Sequence, residues 1–590
     1  MSDIIQLLPD SVANQIAAGE VIQRPSSVVK ELMENAIDAQ ATQIQVNITD
    51  AGRTAIQVID NGMGMSDTDA RLAFERHATS KIRKATDLFA LRTMGFRGEA
   101  LPSIAAVAQV DLRTRQKDNE IGTHLTIEAS KVKSQQPIAC LQGCNISVQN
   151  LFFNLPARRK FLKSNNTELN HIVQIFQRIV LVYPDIAFTL THNGVQLYNL
   201  PVTTQQERIA DIFGKKCRQQ LLPVNTQTSL CTISGFVGKP EAARKNNAPQ
   251  YFFTNGRYMR HPYFHKAVTQ VYERLIPQGE QIPYYIYIKV DPANIDVNIH
   301  PTKTEIKFDD ESAIWKMLSS AVRNTIGRYD TATQLDFDND DKPDIPVYNP
   351  SQTWTPMSVE GAQRQPATPK APAHWETLFP KNTNPAQADL FPTPPPTEEL
   401  AHTTTATHHL QYKGRYIVTP VKSGLMLIDQ RRAHQRILYE EYLATDAAHK
   451  APIQQLVFVE TIELTAEQHI TMQHLFPILQ QLGFDMLLDD DGTLSIRGIP
   501  ATIAGQHLPT LIAELIDSAQ QQGDAAGQLQ QLVARQLARQ TAITRGEVLT
   551  QEEMDNLVNR LFRCTDVHHT PDGKTILHIV PQEDIDRFFG

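Results

Sequence analysis

Two hydrophobic periods alternate along the first third of the chain. In residues 26–39, SSVVKELMENAIDA, positions Val28, Leu32, Asn35 and Ala36 fall along one side, a spacing that predicts a helix with Ser26 or Ser27 as its cap. The segments QIQVNI and AIQVID then alternate apolar and polar residues around the turn signal DAGRT and predict a β-hairpin. Strand patterns recur in HLTIEAS, NISVQNLFF, YYIYIKV and IDVNIHP. These segments predict a layered α/β region over 1–215 and a smaller α/β domain over 216–330. The pattern lapses at residue 331. Between 331 and 400 lie 13 of the 35 prolines, with many Thr and Gln and few aliphatics. Such a stretch cannot bury enough apolar surface to offset its ordering entropy, so 331–405 is read as a disordered linker. Periodicity returns over 406–590: strands RYIVTPV and GLMLID, a helix from Arg432 to about Leu443, a Gln/Leu/Ala-rich helical stretch at 506–539, and the strand TILHIV. The fold class is α/β in the α+β sense.

Composition narrows the function classes. The 590 residues suit about three or four domains. A hydrophobic share of 41% excludes disorder throughout, collagen and a disulfide-built miniprotein. Five cysteines, with no C-x-x-C, are no disulfide framework. Cys140 and Cys144 are spaced to share a helix face, but metal binding there is not expected. No run of about 18 apolar residues predicts a membrane span, and the N-terminal stretch has no basic n-region. A cytoplasmic, nucleoid-associated location is the expectation. The net charge is −8, which conceals +6 in 1–330, −6 in 331–400 and −8 in 401–590. Residues 151–260 alone carry +9, an electrostatic footprint suited to nucleic acid.

The candidate chemistry starts on the first helix. Glu31, Glu34, Asn35 and Asp38 recur at i, i+3, i+4 and i+7, one acidic and amide face. By itself that face reads first as a solvated surface. Two glycine turns follow: Asp60-Asn61-Gly62-Met63-Gly64 at a strand end, and Gly95-Phe96-Arg97-Gly98-Glu99-Ala100-Leu101 before a small-residue apolar run. Turns of this kind let backbone N–H groups approach phosphate oxygens. Neither matches the P-loop pattern.

The ordered set E-L-x-E-N-A-x-D-A, D-N-G-x-G, R-H-A-T-S-K-I (76–82), G-F-R-G-E-A-L and the G-T pair at 122–123 resembles the GHKL ATPases. That superfamily holds gyrase-type topoisomerases, Hsp90, histidine kinases and the MutL mismatch-repair family. QIAAGEVIQRPSSVVKELMENAIDA, LFFNLPARRKFL, FFTNGR and NIHPTKTEIKF resemble MutL specifically. The resemblance implies a GHKL sandwich, a ribosomal-S5-like second domain and a C-terminal dimerisation domain. It also implies ATP and Mg²⁺ as cofactors and a weak Mg-dependent ATPase. Glu31 resembles the general base acting on the attacking water, and Asn35 resembles the Mg²⁺ ligand. Asp60 resembles the adenine reader, beside Gly62 and Gly64. Asp38, Thr79, Ser80, Lys81, Gly95, Arg97, Gly98, Glu99, Ala100, Leu101 and Thr123 complete the ATP-binding set, and Lys303 resembles the second-domain lysine that reaches the γ-phosphate. One departure is Gly143-Cys144, where the family commonly has Gly-Thr.

The basic residues Arg158, Arg159, Lys160, Lys163, Arg244, Lys245, Arg257, Arg260 and Lys266 suit a phosphate backbone, with no base-reading element, so non-specific, salt-sensitive DNA binding is expected. Many relatives carry a C-terminal metal endonuclease with lead motif D-Q-H-A-x-x-E-x-x-x-x-E. Here the segment runs Asp429-Gln430-Arg431-Arg432-Ala433-His434-Gln435 and on to Glu440, the Ala-Cys-His match becomes Ala538-Arg539-Gln540, and the Cys-Pro-His-Gly-Arg match becomes Thr570-Pro571-Asp572-Gly573-Lys574. Metal sites need converging donors, so the nuclease is expected to be absent while its fold remains. Gln387, Leu390 and Phe391, and Gln454, Leu456 and Phe458, resemble sliding-clamp ligands. The expected role is a homodimeric DNA mismatch-repair matchmaker in which ATP closes the N-terminal arms around DNA. Its partners would be a MutS-type recogniser, a sliding clamp and a helicase, with no membrane. The rivals are a family member with an active nuclease, a topoisomerase ATPase subunit, an Hsp90-like chaperone and a clamp without turnover.

Overall fold

A computed structural model of the chain describes residues 18–19, 21–82, 84, 93–95, 97–296, 306–335, 409–444, 453–489, 492–503, 507–522 and 526–590. Lys303, Phe96 and the linker trio Gln387, Leu390 and Phe391 lie outside them. The chain divides into one compact unit, Met1–Thr333 with His408–Gly590, and a second, Gln334–Thr407.

The first helix, α1 (Pro25–Asp38), starts one residue earlier than the hydrophobic pattern suggests. Its cap is Arg24, which makes no side-chain capping bond, and Ser26 is buried inside the first turn. Pro25 explains the shift, because its fixed φ is already helical and its missing N–H is one of those a helix start leaves unused. Val28, Val29, Leu32, Met33 and Ala36 are buried beneath it. The expected hairpin is β1 (Gln43–Thr49) and β2 (Ala55–Asp60), antiparallel with Ile44 opposite Asp60. α2 (Asp67–Leu72) and α3 (Ala100–Val107) follow, then β3 (Gln109–Arg115), β4 (Gly122–Glu128), β5 (Lys131–Ile138) and β6 (Gly143–Gln149). The pattern NISVQNLFF is strand only as far as Gln149. Asn150 and Phe152 take positive φ, and Leu151 and Phe152 are buried in a turn. Cys144 sits on β6, not on a helix.

After α4 (Pro156–Phe161) and α5 (Asn165–Val180), β7 (Ala187–His192) and β8 (Val195–Leu200) complete an eight-stranded sheet of order β5-β4-β3-β6-β2-β1-β7-β8. Only β1 and β7 pair in parallel. α1 packs against α5 and β2, so the helices lie over one face of this sheet. α6 (Gln205–Phe213) and the short α7 (Lys216–Gln219) lead to a five-stranded sheet of order β12-β11-β13-β10-β9. Its strands are β9 (Leu221–Gln227), β10 (Cys231–Gly238), β11 (Gln250–Thr254), β12 (Arg257–Met259) and β13 (Tyr284–Val290), with α8 (Pro262–Tyr272) between β12 and β13. IDVNIHP is described only as the two-residue β14 (Ile295–Asp296), paired with β15 (Lys307–Phe308). Helix α9 (Glu311–Leu335) runs past the expected start of the linker.

Arg208 on α6 pins the end of α5 to the strands that follow. It is fully buried. Its guanidinium donates to the carbonyls of Val180, Tyr183, Pro184, Ile186 and Pro201 at 2.8–3.4 Å.

The C-terminal stretch builds two further sheets, β16-β17-β18-β22 and β19-β21-β20. The first holds β16 (Leu410–Tyr412), β17 (Tyr416–Val421), β18 (Gly424–Asp429) and β22 (Leu577–Pro581); the second holds β19 (Ile453–Glu463), β20 (Asp485–Leu488) and β21 (Thr493–Pro500). α10 (Gln430–Ala444) begins directly after β18, two residues before the expected Arg432. The 506–539 pattern resolves into two helices, Leu508–Gln522 and Ala526–Thr541. No helix among the described residues is long and apolar enough to cross a membrane.

Candidate functional site

A cavity of about 1560 Å³ opens between α1, the end of β2, the turn at 93–99 and the start of α3. Glu31, Glu34, Asn35 and Asp38 face it from α1, so the acidic face is turned inward and not into solvent. Asp60, Gly64, Thr79, Ser80 and Lys81 line it as well. Gly95, Arg97, Gly98, Glu99, Ala100 and Leu101 close it where α3 begins.

Asp60 ends β2 because the strand alternation that buries Ile56 and Val58 also turns Asp60 inward. Its Oδ1 accepts the Gly62 N–H at 2.9 Å, which accounts for Gly62 without placing it in the cavity wall. Burial raises the Asp60 carboxyl to about 6, although the backbone N–H groups of Gly62 and Cys144 pull it down. Thr123 is not in the wall. β4, which carries it, is separated from β2 by β3 and β6, and the residue opposite Asp60 is Cys144. The Cys144 thiol donates to Thr114 Oγ1 at 3.1 Å, and Thr114 donates to the Gly143 carbonyl at 2.9 Å. Burial pushes that thiol up to about 12, which keeps it protonated as a donor. Thr114 looks in the sequence like any inward strand residue, so only register reveals its place.

An ion network surrounds Glu31. Lys30 Nζ donates to Glu31 Oε1 at 2.9 Å and lies 3.2 Å from the Glu34 carboxylate. Burial would lower the Lys30 ammonium, but the Glu34 and Glu31 carboxylates outweigh it and hold the group firmly charged. Lys30 was missed in the sequence because it stands one residue off the acidic face.

The turn that starts at Thr93 is knitted to α1. Asp38 accepts the backbone N–H groups of Met94 and Gly95 at 3.0 and 3.1 Å. Lys81 pairs with Asp38 and donates to Asn35 Oδ1 at 3.1 Å. Gly98 takes φ of +62°, and a Cβ there would lie 2.4 Å from the Ala78 carbonyl, so only glycine lets the backbone at Ala78 and the turn meet.

The basic candidates separate by environment. Arg159, Lys160, Lys163, Arg244, Lys245, Arg260 and Lys266 are exposed. Lys245 lies 3.5 Å from Glu514. Arg158 is half-buried and donates to the Ile22 carbonyl at 3.2 Å. Arg257 is half-buried at the cavity, which Arg260 also lines.

Three family models match the chain. A histidine kinase-, DNA gyrase B- and HSP90-like ATPase model covers 23–152, a DNA mismatch repair protein C-terminal domain model covers 209–327, and a MutL C-terminal dimerisation domain model covers 409–549. The DNA mismatch repair protein MutL of Bacteroides fragilis is 50% identical, with 100% of both chains covered. That of Phocaeicola vulgatus is likewise 50% identical over 100% of both. The chain belongs to the MutL DNA mismatch repair family. Its first region is therefore a GHKL-type ATPase domain. Among solved structures, the Aquifex aeolicus MutL ATPase domain complexed with ADP is 26% identical, covering 46% of this chain and 94% of that one, with a TM-score of 0.36.

In this MutL chain the C-terminal positions compared above with the endonuclease motifs are engaged internally. Asp429 is nearly buried, its Oδ1 accepts the Arg432 N–H at 3.1 Å, and its other oxygen lies 3.6 Å from Arg415 and 3.7 Å from Arg432. Arg431 donates to the Arg539 carbonyl at 3.3 Å, and Gln435 to Asp572 at 3.1 Å. Glu440 accepts from Arg436 at 2.7 Å and from the Thr565 N–H. Among the described residues no group of three or more His, Cys, Asp or Glu side chains converges. On β19, Gln454 and Phe458 are exposed, and Leu456 packs against the C-terminal core. The β19 register slips between Gln455 and Glu460.

Proposed function

We propose that this chain is an ATP-gated matchmaker of mismatch repair, acting as a homodimer. The observation that carries the reading is the meeting of Glu31, Asn35, Asp38, Lys81, the 95–101 turn and the buried Asp60 around one cavity. Asp60 would accept the exocyclic amine of adenine, and the turn's N–H groups with the start of α3 would hold the phosphates. Glu31 would take the proton of the attacking water. Lys30 Nζ, which donates to Glu31 Oε1 at 2.9 Å, would orient that carboxylate.

Asn35 would hold Mg²⁺ together with the nucleotide phosphates. The oxygens fit, since Asn35 Oδ1 and Asp38 already draw the Lys81 ammonium. When bound, the ion would neutralise charge building on the transferred phosphoryl group. Lys303, from the second domain, would reach the γ-phosphate. The proposed boundaries are 1–215 for the ATPase domain, 216–330 for the transducer, 331–405 for the linker and 406–590 for the dimerisation domain. The exposed cations would grip DNA without reading sequence. A MutS-type protein would deliver the mismatch, and a helicase and a sliding clamp would act with or after this chain in the cytoplasm, at the nucleoid. Gln454, Leu456 and Phe458 are the clamp candidates among the described residues.

The C-terminal domain is proposed to hold no nuclease, because Arg415 and Arg432 flank Asp429 where donors would be needed, and guanidinium groups oppose a cation. Supercoiled plasmid should stay uncut with Mn²⁺ and clamp present; nicking abolished by Asp429→Ala would overturn this. For the ATPase, Glu31→Ala should bind ATP and lose turnover by about 10²-fold or more. Retained turnover would remove Glu31 as base, and a wild type that binds ATP without hydrolysing it would favour a passive clamp.

A further inference from the structure

Arg257 was grouped above with the DNA-facing cations, yet its surroundings belong to the nucleotide cavity. The hairpin of β11 and β12 turns at Asn255 and Gly256, both with positive φ. Asn255 is locked to the second sheet: its Nδ2 donates to the Val290 carbonyl at 2.9 Å, and its Oδ1 accepts the Val290 N–H at 3.0 Å. Gly256 passes close to Tyr183, and a Cβ there would lie 3.2 Å from the hydroxyl. From this fixed tip the Arg257 Nη2 donates to the carbonyl of Thr93 at 2.6 Å.

Thr93 opens the phosphate turn. Its hydroxyl donates to the Gly95 carbonyl at 3.0 Å, and the next two N–H groups are those held by Asp38. Asp38 pairs with Lys81, and Lys81 donates to Asn35. A continuous hydrogen-bonded line thus runs from the second sheet, through Arg257 and the turn, to the Mg²⁺-ligand candidate. A DNA contact would need a guanidinium that projects outward, as Arg159 does; Arg257 projects inward.

We propose that Arg257 is a positioning residue of the ATPase reaction, holding the phosphate turn through the Thr93 carbonyl and coupling the second sheet to nucleotide state, and that it is not a DNA contact. This rests on reading the cavity as the ATP site.

The test uses the full chain with Arg257→Gln and Arg257→Lys. It reads ATP turnover, binding of a non-hydrolysable ATP analogue, the protease protection that analogue gives, and DNA binding without nucleotide. Arg257→Gln should lower kcat by about tenfold, with KM within about threefold. It should also abolish the analogue's protection of the second sheet and leave DNA affinity unchanged. Arg257→Lys, with one donor for one carbonyl, should recover part of kcat and of the protection. Unchanged kcat and protection in Arg257→Gln would overturn the proposal, and so would a loss of DNA affinity equal to that of Arg159→Glu. A lowered melting temperature with no recovery in the lysine variant would assign a merely structural role and overturn it as well. If the wild type bound the analogue without hydrolysing ATP, the protection result would still decide on Arg257. A wild type that bound no nucleotide would remove the underlying reading, and this inference with it.

Discussion

Asp60 shows how a single side chain can set function against stability. Its carboxyl titrates at 3.8 in the unfolded chain and about 6 in the folded one. Between those values the folded protein keeps a proton that the unfolded chain has released. Stability therefore falls as pH rises through that window, and the full cost applies above pH 6. Asp60→Asn should accordingly stabilise the nucleotide-free protein at pH 7.5 by on the order of 2–3 kcal/mol, and by almost nothing at pH 4. Thermal melts at the two values check this; equal shifts at both would contradict it. The same variant should lose ATP affinity, because the amide offers N–H donors where adenine presents its own amine. In the wild type, affinity should weaken as pH drops through 6. At this scale the acids and glycines were legible, since Asp60-x-Gly-x-Gly and the α1 face carry their chemistry in residue type. Thr123 was misplaced because a G-T pair says nothing about which strand lies beside β2. Register decides that, and it puts Cys144 there.

Among the elements, hairpins and amphipathic helices were readable wherever side-chain period settles the matter, as in β1–β2 and α1. What escaped was set by contacts distant in sequence. The end of β6 turns because Asn150 and Phe152 adopt left-handed φ, while an apolar run alone reads as more strand. Arg208 escaped for the same reason, since nothing in QQERIADIF marks an arginine that donates to five carbonyls spread from the end of α5 to the residue after β8. Arg208→Met keeps the apolar bulk and removes every donor. Its cost should be about 3–5 kcal/mol, from acceptors left unpaired in a buried place. Arg208→Lys has three donors for five carbonyls and should recover only part of it. Urea unfolding followed in the N-terminal region tests the pair; a full recovery by lysine would mean that charge, not the fork of donors, matters. Gly98→Ala belongs here too. The 2.4 Å approach to the Ala78 carbonyl would force that segment away from the turn, so ATP affinity should fall by about tenfold or more while the melting temperature moves little.

For the whole molecule the decisive quantity is where charge sits. A net −8 hides the +9 of residues 151–260, and folding sorts those cations further. Arg158 turns inward to the Ile22 carbonyl, whereas Arg159 and Lys160 on α4 stay exposed. Counterion release makes the logarithm of DNA affinity fall with the logarithm of salt, by about 0.9 per phosphate neutralised. If Arg159 and Lys160 each neutralise one phosphate, Arg159→Glu with Lys160→Glu should flatten that slope by about 2 and weaken binding equally for any duplex sequence. Reversing Lys574 and Arg563 in the acidic C-terminal region changes the total charge by the same amount. It should leave the slope as it is if position governs, and flatten it equally if only net charge does. Filter binding of one duplex across a salt series, with both double variants and no nucleotide, separates the two. A slope that depends on α4 alone would place the DNA-facing surface on the ATPase arm, where closure driven by nucleotide could trap a strand.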